Sequence, residues 1–156
     1  MKTVRIVFYT FLIAVFLNSC GKEYSSEVMA APTGLWQFTS GNTNYSGYIT
    51  DFHTNNGTTN QYSFTGKSND GRQNFLLNLY GDSLTTGVYK ASQFEATFSY
   101  TDLSGSSVYS ANQQIGEFVV NVLSVDSTII SLTFSGTAND ASGNKVQITN
   151  GKLSIN

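Results

Sequence analysis

Phe94-Glu95-Ala96-Thr97-Phe98-Ser99-Tyr100-Thr101 is apolar at every even position and polar at every odd one. Successive side chains of an extended chain project to opposite sides, so a period of two marks a strand with one buried face. Phe94, Ala96, Phe98 and Tyr100 are therefore expected to face a core, with Glu95, Thr97, Ser99 and Thr101 towards water. Ile130, Leu132 and Phe134 alternate in the same way with Ser131, Thr133 and Ser135. Half-buried strands of this kind belong to antiparallel sheets.

Working outward, similar runs cover Trp36 to Thr39, Tyr45 to Phe52, Gln61 to Thr65, Asn74 to Tyr80, Val88 to Ala91, Glu117 to Val125 and Lys145 to Ile155, which makes about nine strands. Between them lie Asn55-Asn56-Gly57, Asn69-Asp70-Gly71, Gly81-Asp82-Ser83, Asp102 to Ser107, Asp126-Ser127 and Asn139 to Asn144, all rich in residues that suit tight turns. No segment carries a helical stripe. The fold class is all-β, and an antiparallel β-sandwich is the leading architecture, with a lipocalin-like β-barrel as the alternative. In the last run the apolar parity switches from Val146 and Ile148 to Leu153 and Ile155 across Asn150-Gly151. A one-residue bulge with Gly151 at positive φ would restore the facing; a hairpin turn is the competing explanation, less favoured because five residues after Gly151 make a poor hairpin arm.

The N-terminal segment has a different logic. Lys2 and Arg5 precede an apolar run, Ile6 to Leu17, broken only by Thr10. A spanning helix needs roughly 20 apolar residues, so this run reads as a secretory signal. It ends in Leu17-Asn18-Ser19-Cys20, which resembles the lipobox cut by the lipoprotein signal peptidase, and Cys20 is the sole cysteine. Residues 1–19 are thus expected to be removed and Cys20 lipidated, anchoring the chain to a membrane without spanning it. Residues 20–33 have no apolar periodicity and read as a tether reaching on the order of 40 Å when extended. Residues 34–156 then form one domain, of a size that supports a single core.

Loss of Lys2 and Arg5 removes two positive charges from a chain whose formal charge is already −2. A nucleic-acid partner is disfavoured, since no basic stripe exists to neutralise phosphates. No polybasic patch is available to hold anionic lipid either.

The lipobox, the Ser-containing tether, the early Trp36, the Gly87-Val88-Tyr89 step and the ending Phe134-Ser135-Gly136-Thr137 through Val146 to Ile155 together resemble small Bacteroidota lipoproteins of unknown function. The resemblance covers nearly the whole mature chain, on structural motifs. It implies an outer-membrane, lipid-anchored protein, on the cell surface or the periplasmic face. Lys22 and Glu23, just after Cys20, are similar to the short charged signal that directs some lipoproteins of that group to the surface.

Few residues point to chemistry. Asp51 and His53 share a strand face, without an obvious nucleophile or third ligand. Asp51, Glu95, Asp102 and Glu117 are the acids from which a hydrolytic pair would have to come. Asn139 to Asn144 lacks the spacing of a calcium loop and reads as a turn. No cofactor motif is present, so an enzyme, a hydrolase at most, is the less favoured reading. Asp82-Ser83-Leu84 and Asp126-Ser127-Thr128 resemble an O-glycosylation motif of Bacteroidota secreted proteins, which would modify Ser83 and Ser127. Among the aromatic residues, Trp36, Tyr48, Tyr62 and Tyr80 are the candidates for stacking on a ligand, against the competing role of filling the core. The leading functional expectation is a non-catalytic cell-envelope module that binds glycan or a partner protein. The runner-up is a carrier for a small apolar ligand inside a barrel.

Overall fold

The computed structural model describes residues 34–126 and 129–156. The signal segment, Cys20, Lys22, Glu23 and Ser127 lie outside the described residues.

Among the described residues ten strands follow one another: β1 (Gly34–Ser40), β2 (Thr43–Asn55), β3 (Asn60–Ser68), β4 (Gln73–Gly81), β5 (Gly87–Lys90), β6 (Ala96–Asp102), β7 (Ser107–Ala111), β8 (Val119–Val125), β9 (Ile130–Asp140) and β10 (Lys145–Ile155). All pairings are antiparallel, in the order β10-β1-β2-β3-β4-β6-β7-β9, and β9 pairs again with β10. The sheet therefore closes on itself. The all-β expectation holds, and of the two architectures the molecule adopts the barrel, not the sandwich. Alternation does not separate the two, because inward and outward positions alternate in both.

Closure uses long strands that bend. β2 shifts register between Ile49 and Asp51, and β10 between Ile148 and Gly151. An extra residue on one strand kinks it and increases its twist, which helps a sheet to curl. The bulge expected in β10 is present, but Asn150 carries the positive φ, at 54°. Asn tolerates this conformation better than most residues. Gly151 is needed for a different reason: a Cβ there would lie 2.2 Å from the Phe134 carbonyl oxygen.

One stretch of wall is built from broken lines. β9 pairs with β8 through Ile130–Ser135 and with β7 through Asn139 and Asp140, so β7 and β8 are successive segments along the same edge. β6 pairs with β7 as β5 pairs with β8. Both lines break at one level, residues 91–95 in the first and 112–118 in the second, and Ala91 N–H donates to Phe118 C=O across the gap at 2.9 Å. Gly136 sits at the hand-over on β9, where a Cβ would lie 2.0 Å from the Glu117 carbonyl. β7 is not among the strands expected from sequence: the connector read there ends at Ser107, and Val108-Tyr109-Ser110-Ala111 is too short a run to carry a period-two signal.

The interior is filled. Trp36 stacks on Phe75 with ring centroids 4.7 Å apart, and Phe98 stacks on Phe118 at 5.3 Å. Phe38, Phe64, Leu77, Leu79, Leu132 and Ile148 are fully buried around them. Trp36 lies over two glycines: a Cβ at Gly47 would stand 2.5 Å from the indole, and one at Gly66 2.6 Å from its Nε1. Among the described residues Nε1 has no hydrogen-bond partner. Nearer one rim, the Tyr45 and Tyr109 hydroxyls meet at 2.9 Å beside Tyr100. Burial, followed by the Tyr109 hydrogen bond, pushes Tyr45 up to about 12. Burial and the neighbouring Tyr45 do the same for Tyr100.

Candidate functional site

Position 94 is where the alternation that announces the fold breaks down. After β5, residues Ala91–Gln93 form a single 3-10 turn that ends at Phe94 with φ 61° and ψ 17°. Phe94 N–H donates to Ala91 C=O, and Glu95 N–H donates to Lys90 C=O, each at 3.1 Å. The Glu95 carboxylate takes the Lys90 N–H at 3.0 Å, while the Glu95 carbonyl takes the Tyr80 N–H at 2.9 Å. This set pins the peptide on both sides and leaves Phe94 in the left-handed region, which costs an L-residue about 1–2 kcal/mol. The expected inward Phe94 is thereby corrected. Only Ala96, Phe98 and Tyr100 face the core, and Phe94 turns outward with 67% of its surface exposed.

Beside it, where both wall lines break, lies an open groove of about 770 Å³. That volume falls within the range of pockets that hold small ligands, about 300–1,000 Å³. Phe94 and Tyr80 supply aromatic surface, Gln93, Asn112, Gln113 and Gln114 supply amides, and Asp82 and Glu95 supply carboxylates; Thr59 and Thr97 complete the polar lining. Among the described residues no lysine or arginine lines it. The amide wall is anchored, since Asn112 Oδ1 accepts the Gln114 N–H at 3.0 Å and the Asn112 carbonyl accepts those of Ile115 and Gly116. Burial of Ile115 holds the same turn from below. The Asp82 carbonyl is fixed by Asn60 Nδ2 at 2.8 Å. Two residues before Tyr80, Asn78 donates to Thr97 Oγ1 at 3.2 Å. Its own Oδ1 has no hydrogen-bond partner among the described residues.

Of the aromatic candidates, Tyr80 alone reaches this groove. Trp36, 1% exposed, and Tyr62 are core residues, a correction that follows from strand parity: both stand on the inward face of their strands. Tyr48 is exposed on the outer face of β2, opposite Leu35 of β1. Phe94 was legible only as a core residue, and no sequence pattern marks its reversal.

The Asp51–His53 pair does form, with His53 Nδ1 2.8 Å from Asp51 Oδ2. Ser63 faces His53 across the β2–β3 ladder. That serine is only 1% exposed, and its Oγ accepts the Gln61 amide at 2.9 Å, so it presents nothing to a substrate. The four acids considered for hydrolysis are held in separate local sets. Asp51 pairs with His53, Glu95 takes the Lys90 N–H, Glu117 accepts the Thr137 hydroxyl, and Asp102 caps its own turn through Ser104 and Ser106. Among the described residues no three His, Cys, Asp or Glu side chains cluster to hold a metal. Asp140 likewise spends its carboxylate on Ser142 and Asn144, the turn chemistry expected of that loop. Ser83 is exposed in the connector after β4. Compared with family models, curated proteins and solved structures, the chain matches none of them.

Proposed function

We propose that this chain is a lipoprotein of the bacterial cell envelope, anchored through Cys20 to the outer membrane, and that its β-barrel is a non-catalytic binding module acting through the external groove at Phe94. The observation that carries the reading is the outward Phe94 itself. A large apolar side chain is held in a costly backbone conformation by four hydrogen bonds and lines the groove, largely exposed. Local strain of that kind persists where the surroundings over-determine it, and it concentrates at functional positions. The filled interior favours this external surface over the carrier reading, because an internal ligand would have to displace packed aromatic rings.

The address and the surface are tested separately. Membrane fractionation should find the wild-type protein with the membranes, and its intact mass should show residues 1–19 removed and Cys20 acylated, whereas Cys20→Ala should lose the acyl mass. A wild-type protein that carries no acyl mass on Cys20 refutes the anchor. Protease treatment of intact cells then decides the face: digestion with the periplasm sealed places the barrel outside. For the surface, retention of the protein by insoluble envelope or extracellular polysaccharide should fall with Phe94→Gly. Retention that is indifferent to Phe94 moves the binding surface elsewhere.

A further inference from the structure

We infer that the groove selects uncharged, hydroxyl-rich saccharides and discriminates against acidic ones; this rests on the reading of the groove as the binding surface. The lining supplies the two complementary faces that a sugar ring requires. Phe94, exposed and fixed, offers a flat apolar surface to the C–H face of a ring, and Tyr80 extends it. Amide side chains donate and accept at once, as sugar hydroxyls do, so Gln93, Asn112, Gln113 and Gln114 match hydroxyls of either orientation.

Charge sets the selectivity. Among the described residues, Asp82 and Glu95 are the only ionisable lining groups other than the Tyr80 phenol, and no lysine or arginine lines the groove to offset them. Carboxylates accept hydroxyl protons strongly and repel uronate or sulfate groups. Glu95, a lining residue, is already ordered, because one carboxylate oxygen is committed to the Lys90 N–H, so less side-chain entropy is lost if a ligand engages it. Asn112 is ordered in the same way, its Oδ1 engaged by Gln114 and its Nδ2 left as a donor.

The experiment is calorimetric titration of the full-length lipidated protein in detergent with uncharged glucan, xylan, mannan and galactan oligosaccharides, and with oligogalacturonate and sulfated oligosaccharides of the same length. At least one uncharged series should bind. In that series Phe94→Gly should weaken binding by about tenfold or more, while Phe94→Tyr, which keeps the ring, should change it by less than about threefold. At low salt the acidic series should bind about tenfold more weakly or worse, a gap that narrows as salt rises and in the Asp82→Asn, Glu95→Gln double variant. Acidic chains that bind as well as uncharged ones overturn the selectivity. Uncharged binding that survives Phe94→Gly overturns both the selectivity and the groove. If neither class binds, the saccharide assignment fails. A photocrosslink to an envelope protein from a benzophenone amino acid in place of Phe94 would then retain the groove without it.

Discussion

Replacing Phe94 by glycine and by alanine should reverse the usual order of the two residues. In ordinary strand or helix positions glycine is about 0.5–1 kcal/mol less stable than alanine, because its unfolded chain is freer. At φ 61° alanine keeps the left-handed penalty of about 1–2 kcal/mol, and glycine does not. The difference makes Phe94→Gly more stable than Phe94→Ala by about 0.5–1 kcal/mol. The ring itself contributes little, since two-thirds of it is exposed. Scaling the full burial of a phenylalanine, about 1.5–3 kcal/mol, by the shielded third gives about 0.5–1 kcal/mol lost in either variant. Phe94→Ala should therefore fall below the wild type by that amount, and Phe94→Gly should stand close to the wild type while losing ligand binding. Urea unfolding at unchanged slope reads the three midpoints. An alanine variant as stable as the glycine one would mean that position 94 is not held left-handed, and the account of the groove would go with it.

Two further outcomes follow from the core. Gly47→Ala should cost about 3 kcal/mol or more, the upper end for overpacking, because the new methyl would meet both the Trp36 indole and the Lys67 carbonyl; a change below about 1 kcal/mol by chemical unfolding would contradict the packing of Trp36 over this glycine. At high pH, Tyr45 and Tyr100, both pushed up to about 12 in the fold from an ordinary 10.0, bind protons more tightly folded than unfolded. Their contribution is complete below pH 10 and is lost as the pH rises through about 12, so the urea midpoint should decline in that window. Tyr45→Phe should flatten the decline, and a midpoint that holds level to pH 12 would refute it.

The candidate site was poorly legible in the sequence. Tyr80 is one of the four aromatic residues that the sequence offers for stacking, against the competing role of core filling, and the structure brings it to the groove. Trp36 and Tyr62 carry the same chemistry but stand at inward positions of β1 and β3. Alternation puts Phe94 on the inward face, and it fails there for a physical reason: it assumes that every residue of the run is extended, and one left-handed residue reverses facing without changing composition. The amide wall from Asn112 to Gln114 looks like any polar connector until the break in β7 and β8 sets it beside the break in β5 and β6. The Asp51–His53 contact was foreseeable because it is local, two residues apart on one strand.

Period-two alternation in 96–101 and 130–135 determined an all-β antiparallel domain, since only a half-buried sheet uses that period. Turn residues set most of the strand boundaries, and the switch of parity across Asn150-Gly151 announced a bulge. Closure into a barrel, the filling of its interior and the convergence of Phe94, Tyr80 and the amides were decided only by tertiary structure. These depend on which distant strands pair: β9 must find β10 on one edge and both β7 and β8 on the other. Alternation records that a side chain faces inward or outward; it carries no record of the strand that lies beside it.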